Sequence, residues 1–167
     1  FKNVKASARP LAKLITLWLL VTAPERSEFV QDRLSGVRKI NLKFKVPLIG
    51  NVVPDLAKLS SLREVALDNV DLLDLSCLKN ATSLRKISIS NSPSLGAVTG
   101  IEKLNKLQSL SIYDCPNLTD LMALSDLSNI KDLSVYDTGP LSSITFVQEL
   151  KRINDLSVTV SSKTDLS

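Results

Sequence analysis

The sequence predicts a repeat protein, a stack of similar strand-and-return layers, and three observations carry that reading. An L-x-x-L-x-L pattern recurs from Leu14, Val37, Leu62, Leu84, Leu107, Ile130 and Ile153, at intervals of 22–25 residues. Its second column (Leu17, Ile40, Val65, Ile87, Leu110, Leu133, Leu156) and its third (Leu19, Leu42, Leu67, Ile89, Ile112, Val135, Val158) are apolar throughout. At 44% apolar content that agreement has a chance on the order of 10⁻⁸ before the freedom to choose a frame is discounted. Between the copies, apolar residues return at every third position. A switch from period two to period three inside one short unit describes a β-strand followed by a tight, turn-like return. Such a unit cannot bury its own apolar side and needs copies on both flanks.

The elements follow in order. Phe1 to Lys13 is expected to flank or cap the first layer, with the repeats running over 14–160. The apolar run Leu11–Val21 sits in the repeat phase and is far shorter than the ~20 residues that span a bilayer, so it reads as the first strand. Pro24–Leu34 reads as a true helix with Gly36 as its stop. The later returns place Leu72, Leu75, Leu78 and Ala81 before Leu84, then Leu95, Val98, Ile101 and Leu104 before Leu107. Leu118, Leu121, Leu124 and Leu127 precede Ile130, and Leu141, Ile144, Val147 and Leu150 precede Ile153. Val53, Leu56 and Leu59 do the same before Leu62, with Pro54 suited to a first helical turn. A spacing of three suits 3₁₀-like turns, in which i and i+3 eclipse. After Val158 the chain reads TVSSKTDLS, and 161–167 is expected to be a C-terminal flank with no amphipathic helix over the last layer. That predicts either end-to-end self-association or an excerpt from a longer chain, and a first residue of Phe favours the excerpt.

The units resemble leucine-rich repeats, whose motif is L-x-x-L-x-L-x-x-N/C-x-L, over about residues 14–160. The resemblance implies an α/β repeat solenoid: a leucine-rich repeat horseshoe or arc of about seven repeats, right-handed. A parallel sheet would line its concave face, and 3₁₀ or short-helix turns its convex side. The N/C position holds Val70, Ser92, Cys115 and Thr138, so the asparagine ladder of the commonest subfamilies is missing. Cys115-Pro116-Asn117-Leu118-Thr119 is similar to the cysteine-bearing variety found in plant immune receptors, F-box proteins and some protozoan and bacterial repeats. One such repeat does not define a subfamily.

Composition excludes most chemistry. The chain has 167 residues, enough for one domain with a sizeable core. It contains no His, so no Ser-His or Cys-His nucleophile pair and no His-ligated metal site can exist. Neither a G-x-x-x-x-G-K nor a G-x-G-x-x-G motif occurs, and no cofactor is expected. An enzyme is not expected. Cys77 and Cys115 fall at different phases of the repeat and read as two buried free thiols, which leans towards a reducing, cytoplasmic compartment without excluding the cell surface. Two N-glycosylation sequons, at Asn80 and Asn117, are about the number expected by chance and decide nothing. The net charge of +4 hides an asymmetry, +7 over residues 1–65 and −3 over 66–167. This is either uneven solvated surface or a body with oppositely charged ends that orients a partner.

What such a chain offers is the outward strand columns. The central one, Trp18, Asn41, Ala66, Ser88, Ser111, Ser134 and Ser157, is a shallow floor of small residues. Serine there either admits a close-lying chain or merely suits a crowded sheet. The next column holds Tyr113 and Tyr136, and Asp114 and Asp137 follow them; Asp132 and Asp155 extend an acidic patch. Tyr is a low-entropy binding anchor and Asp beside it selects charge. The alternative is a stacked tyrosine pair serving stability alone. Towards the other end Arg38, Lys39 and Lys43, with Phe44 near, form a basic counterpart. The expected partner is a protein or peptide on the concave face, and a spacer or assembly segment working through the open ends is the alternative. Nucleic acid is disfavoured, because base-stacking aromatics are scarce and the acidic half repels a strand.

Overall fold

The computed structural model describes residues 36–48, 56 and 59–159, with backbone alone over 44–48. The strand expected in Leu11–Val21, the helix at Pro24–Leu34, the flanks 1–13 and 161–167, and Val53 and Pro54 lie outside the described residues.

Among the described residues six strands form one sheet in chain order, every neighbouring pair parallel. They are β1 (Lys39–Leu48), β2 (Glu64–Val70), β3 (Lys86–Ser90), β4 (Ser109–Cys115), β5 (Asp132–Thr138) and β6 (Asp155–Val158). The register follows the columns read from sequence: Ile40, Val65, Ile87, Leu110, Leu133 and Leu156 are successive partners. A one-residue slip would turn every inward side chain to solvent, so the apolar columns themselves hold this register. The pairing of β1 with β2 shifts only between Lys43 and Leu48.

Parallel neighbours need a crossover, and the returns supply it. Short 3₁₀ helices occupy Ser76–Leu78, Met122–Asp126 and Thr145–Glu149. The return between β3 and β4 is built from turns. Bonds of the i+3 type run Leu78 N to Leu75 O and Leu124 N to Leu121 O at 2.9 and 3.0 Å. They align the period-three residues on one side. Leu72, Leu75, Leu78, Ala81, Leu95, Val98, Ile101, Leu104, Leu118, Leu121, Leu124 and Leu127 are all buried in one continuous core with the strand columns. The last return departs from expectation. Phe146 is fully buried, while Ile144 and Val147 are half-buried against the core. A large ring one position early fills the volume that Val147 would have filled. At the β6 end of the described residues Leu156 is 41% exposed and Val158 half-buried.

The spacing L-x-L-x-x-N/C has a backbone cause. Strict alternation after Leu110 and Ile112 would turn residue 114 inward, yet Asp114 is exposed and Cys115 fully buried. Asp114 has φ +51°, and its equivalents Asn69, Asn91 and Asp137 have φ +58°, +53° and +53°. One left-handed residue at each strand end shifts the phase by one and turns the next side chain, Val70, Ser92 or Cys115, into the core. Asn and Asp are the non-glycine residues that adopt this region most readily. The inturned polar groups find local acceptors: Ser92 Oγ donates to Ser90 O at 3.2 Å and Cys115 Sγ to Tyr113 O at 3.4 Å. These bonds stay within a layer, where an asparagine ladder would link layers. Layer-to-layer links come instead from Asn117 Nδ2 to Pro93 O, Asn129 Nδ2 to Asn105 O and Ser142 Oγ to Thr119 O, at 2.7, 2.7 and 2.9 Å.

Candidate functional site

The open face of the sheet carries the columns that alternate with the core. Along β5 the outward residues Asp132, Ser134 and Tyr136 are two apart, so the strip from carboxylate to ring is roughly 13 Å long. Across the strands, Ser109, Asp132 and Asp155 are register partners, as are Ser111, Ser134 and Ser157, and as are Ser90, Tyr113 and Tyr136. The structure therefore gathers Tyr113, Tyr136, Asp132 and Asp155 on one face of β4–β6, with serines between the tyrosines and the acids.

The two tyrosine rings stack, centroids 5.5 Å apart and planes 14° from parallel. Such a pair contributes about 0.5–1.5 kcal/mol beyond its buried area. Stacking does not hide the pair, since Tyr113 remains 39% exposed and Tyr136 half-buried. Asp114 and Asp137 flank it, both exposed. Their identity has the conformational cause given above, a role that spacing alone did not reveal. The column Asn69, Asn91, Asp114, Asp137 was a signal available for it. Among the described residues no ion pair neutralises Asp114, Asp132, Asp137 or Asp155.

At the β1 end two lysines are paired internally. Lys39 Nζ lies 2.8 Å from Glu64 Oε2, and Lys43 Nζ lies 2.5 Å from Asp68 Oδ2. Lys39 and Lys43, read from sequence as part of a basic counterpart, are thus rungs of cross-layer ion pairs. Asp68 is a hub for three layers, also accepting from Ser90 Oγ at 3.0 Å and Asn91 Nδ2 at 2.7 Å. Its side chain is only 15% exposed. The Lys43 bond is the chief reason its carboxyl sits below the usual range, helped by Asn91 and Ser90 and opposed by burial. The Lys39 hydrogen bond likewise lowers Glu64. Sequence reading did not single out Asp68, although its place opposite Lys43 one layer on was visible. The Phe44 side chain lies outside the described residues.

Cys115 is buried as expected, but Cys77 is half-buried where burial was expected. Burial is the main cause that pushes the Cys115 thiol up. It therefore stays protonated near neutral pH and serves as a donor. Among the described residues no helix is long and apolar enough to cross a membrane, and no three acidic or thiol side chains converge as a metal site would require.

The fold is a leucine-rich repeat solenoid. Solved structures of leucine-rich repeat proteins share it, two of them with similarity along nearly all of this chain. The leucine-rich repeat protein LIC12759 of Leptospira interrogans is similar with a TM-score of 0.60 and 18% identity over 96% of this chain. The leucine-rich repeat domain of the type III effector XopL is similar with a TM-score of 0.59 and 18% identity over 95% of this chain. This chain spans 44% of the first and 66% of the second. No protein-family model and no curated protein matches its sequence.

Proposed function

We propose that this chain is a non-enzymatic recognition module that holds a protein or peptide on the open, concave face of β4–β6. Tyr113 and Tyr136 are the anchors, and Asp114, Asp132, Asp137 and Asp155 favour cationic groups on the partner. The observation that carries this reading is the contrast along one sheet. Lys39 and Lys43 of β1 are paired across layers with Glu64 and Asp68 of β2, whereas the acids of β4–β6 stand beside an accessible aromatic pair with no ion-pair partner among the described residues. A preordered tyrosine stack offers contact area at little further entropic cost.

A displayed random-peptide library panned on the domain tests it. Selected peptides should be rich in Lys or Arg, and the variants Y113A/Y136A and D132N/D155N should each lose them while far-UV circular dichroism stays unchanged. Peptides that bind both variants as they bind the parent defeat the reading. The exposed Leu156 at the β6 end supports a second one, assembly through an end layer. Concentration-dependent light scattering that disappears on Leu156→Lys, with no peptide selected, favours that one.

A further inference from the structure

The residue preceding each open-face strand position forms a column of its own: Arg38, Arg63, Arg85, Gln108, Lys131 and Asn154. Backbone bonds fix its alignment, because each carbonyl accepts two N–H groups of the next layer. Arg63 N and Glu64 N donate to Arg38 O at 2.8 and 3.0 Å, and Arg85 N and Lys86 N to Arg63 O at 2.8 and 3.0 Å. Gln108 N and Ser109 N repeat the arrangement at Arg85 O. Three arginines therefore stand in consecutive layers, about 4.8 Å apart. All three are exposed, as are Lys86 beside Arg85 and Lys103 and Lys106 in the following return.

Like charges directly opposite across strands are destabilising. Among the described residues no salt bridge joins a carboxylate to any of these six cations, and the one acid directly opposite them, Glu64 across from Lys86, feels that charge only weakly beside its bond to Lys39. The nearby acids are engaged elsewhere: Glu64 is held by Lys39, and both oxygens of Glu102 accept from Gly100 N at 2.9 Å. Asp114 and Asp137 sit at the far ends of β4 and β5. They lie roughly 20 Å away along the strand direction, too far to compensate the row.

We propose that this strand-entry edge, centred on Arg38, Arg63, Arg85 and Lys86, docks an Asp/Glu-rich polypeptide segment. A guanidinium takes a carboxylate through two parallel hydrogen bonds, and three at strand spacing can grip several along one acidic segment. Docking replaces repulsion between layers with attraction. The row suits a polypeptide better than a nucleic acid. It breaks at Gln108, and Asp132 and Asp155 stand beside its continuation. The tyrosines face each other near the far ends of the strands, so no aromatic platform for bases adjoins it.

Fluorescence anisotropy with a short labelled Glu-rich peptide tests the proposal, with a Gly/Ser peptide and a single-stranded oligonucleotide of equal charge as comparisons. The Glu-rich peptide should bind at low salt, weaken as salt rises, and lose about tenfold or more in affinity with R63Q/R85Q. Y113A/Y136A should bind it as the parent does, which separates this edge from the concave face. Equal binding by R63Q/R85Q, or tighter binding of the oligonucleotide than of the peptide, overturns the proposal. So does a salt-sensitive self-association in sedimentation that R63Q/R85Q abolishes while the peptide does not bind, since the occupant is then a second copy presenting its own acidic edge.

Discussion

Replacing Asp114 and Asp137 by Ala tests whether the left-handed strand end, and not the carboxylate, sets these positions. Each has φ just above +50°, where a Cβ-bearing residue incurs about 1–2 kcal/mol. Asp adopts this region more readily than Ala does, so each Ala should cost about 1 kcal/mol and the pair about 2 kcal/mol. For a chain of this size that lowers the melting midpoint by roughly 4–8 °C. Neither Asp side chain makes a hydrogen bond or ion pair among the described residues, so no lost contact confuses the result. Asp→Asn keeps the conformational preference and removes the charge; Asp→Gly removes the steric cost. Both should melt within about 2 °C of the parent. Thermal unfolding followed by far-UV circular dichroism reads the series, compared as midpoints because stacked layers need not unfold in one step. The reasoning fails if Gly is as harmful as Ala, or if Ala leaves the midpoint unchanged.

Two further outcomes follow from the geometry. Gly100 has φ +100°, and a Cβ there would meet Ser76 N and Cα at 2.6 Å, so Gly100→Ala should destabilise by about 2 kcal/mol or more, seen as a lower urea midpoint, whereas Gly96→Ala, with its nearest contact at 3.9 Å, should change little. Asp68 has a folded pKa below its ordinary 3.8, so its pairing with Lys43 stabilises fully above about pH 5 and is lost as pH falls through 3.8 towards the folded value. The melting advantage of the parent over D68N should therefore be present at pH 7 and shrink by pH 3, and an unchanged gap would refute the linkage.

The core was legible because burial at period two and period three leaves a direct record in apolar columns, from Leu62 and Leu84 to Leu110 and Ile130. Phe146 escaped because volume, not periodicity, chose it over Val147. The recognition columns were legible as positions but not as states. Spacing placed Lys43 and Asp68 on one face, and only the register showed that they pair. Spacing likewise set Tyr113 beside Asp114, while the backbone angle that turns Asp114 outward appears only in the fold. Of the strand-entry arginines only Arg38 was singled out, and the row with Arg63 and Arg85 went unread because it lies just outside the alternating pattern that defines a strand face.

The tyrosine stack also has a spectroscopic consequence. The chain contains two tyrosines in all, and both are in that stack. Fluorotyrosine labelling therefore gives two fluorine resonances, each from the proposed recognition face and shifted by the ring current of its neighbour. A ligand that wedges between the rings would move both lines together. One that covers only the more exposed Tyr113 would move one, so occupancy and mode of engagement are read from the same spectrum.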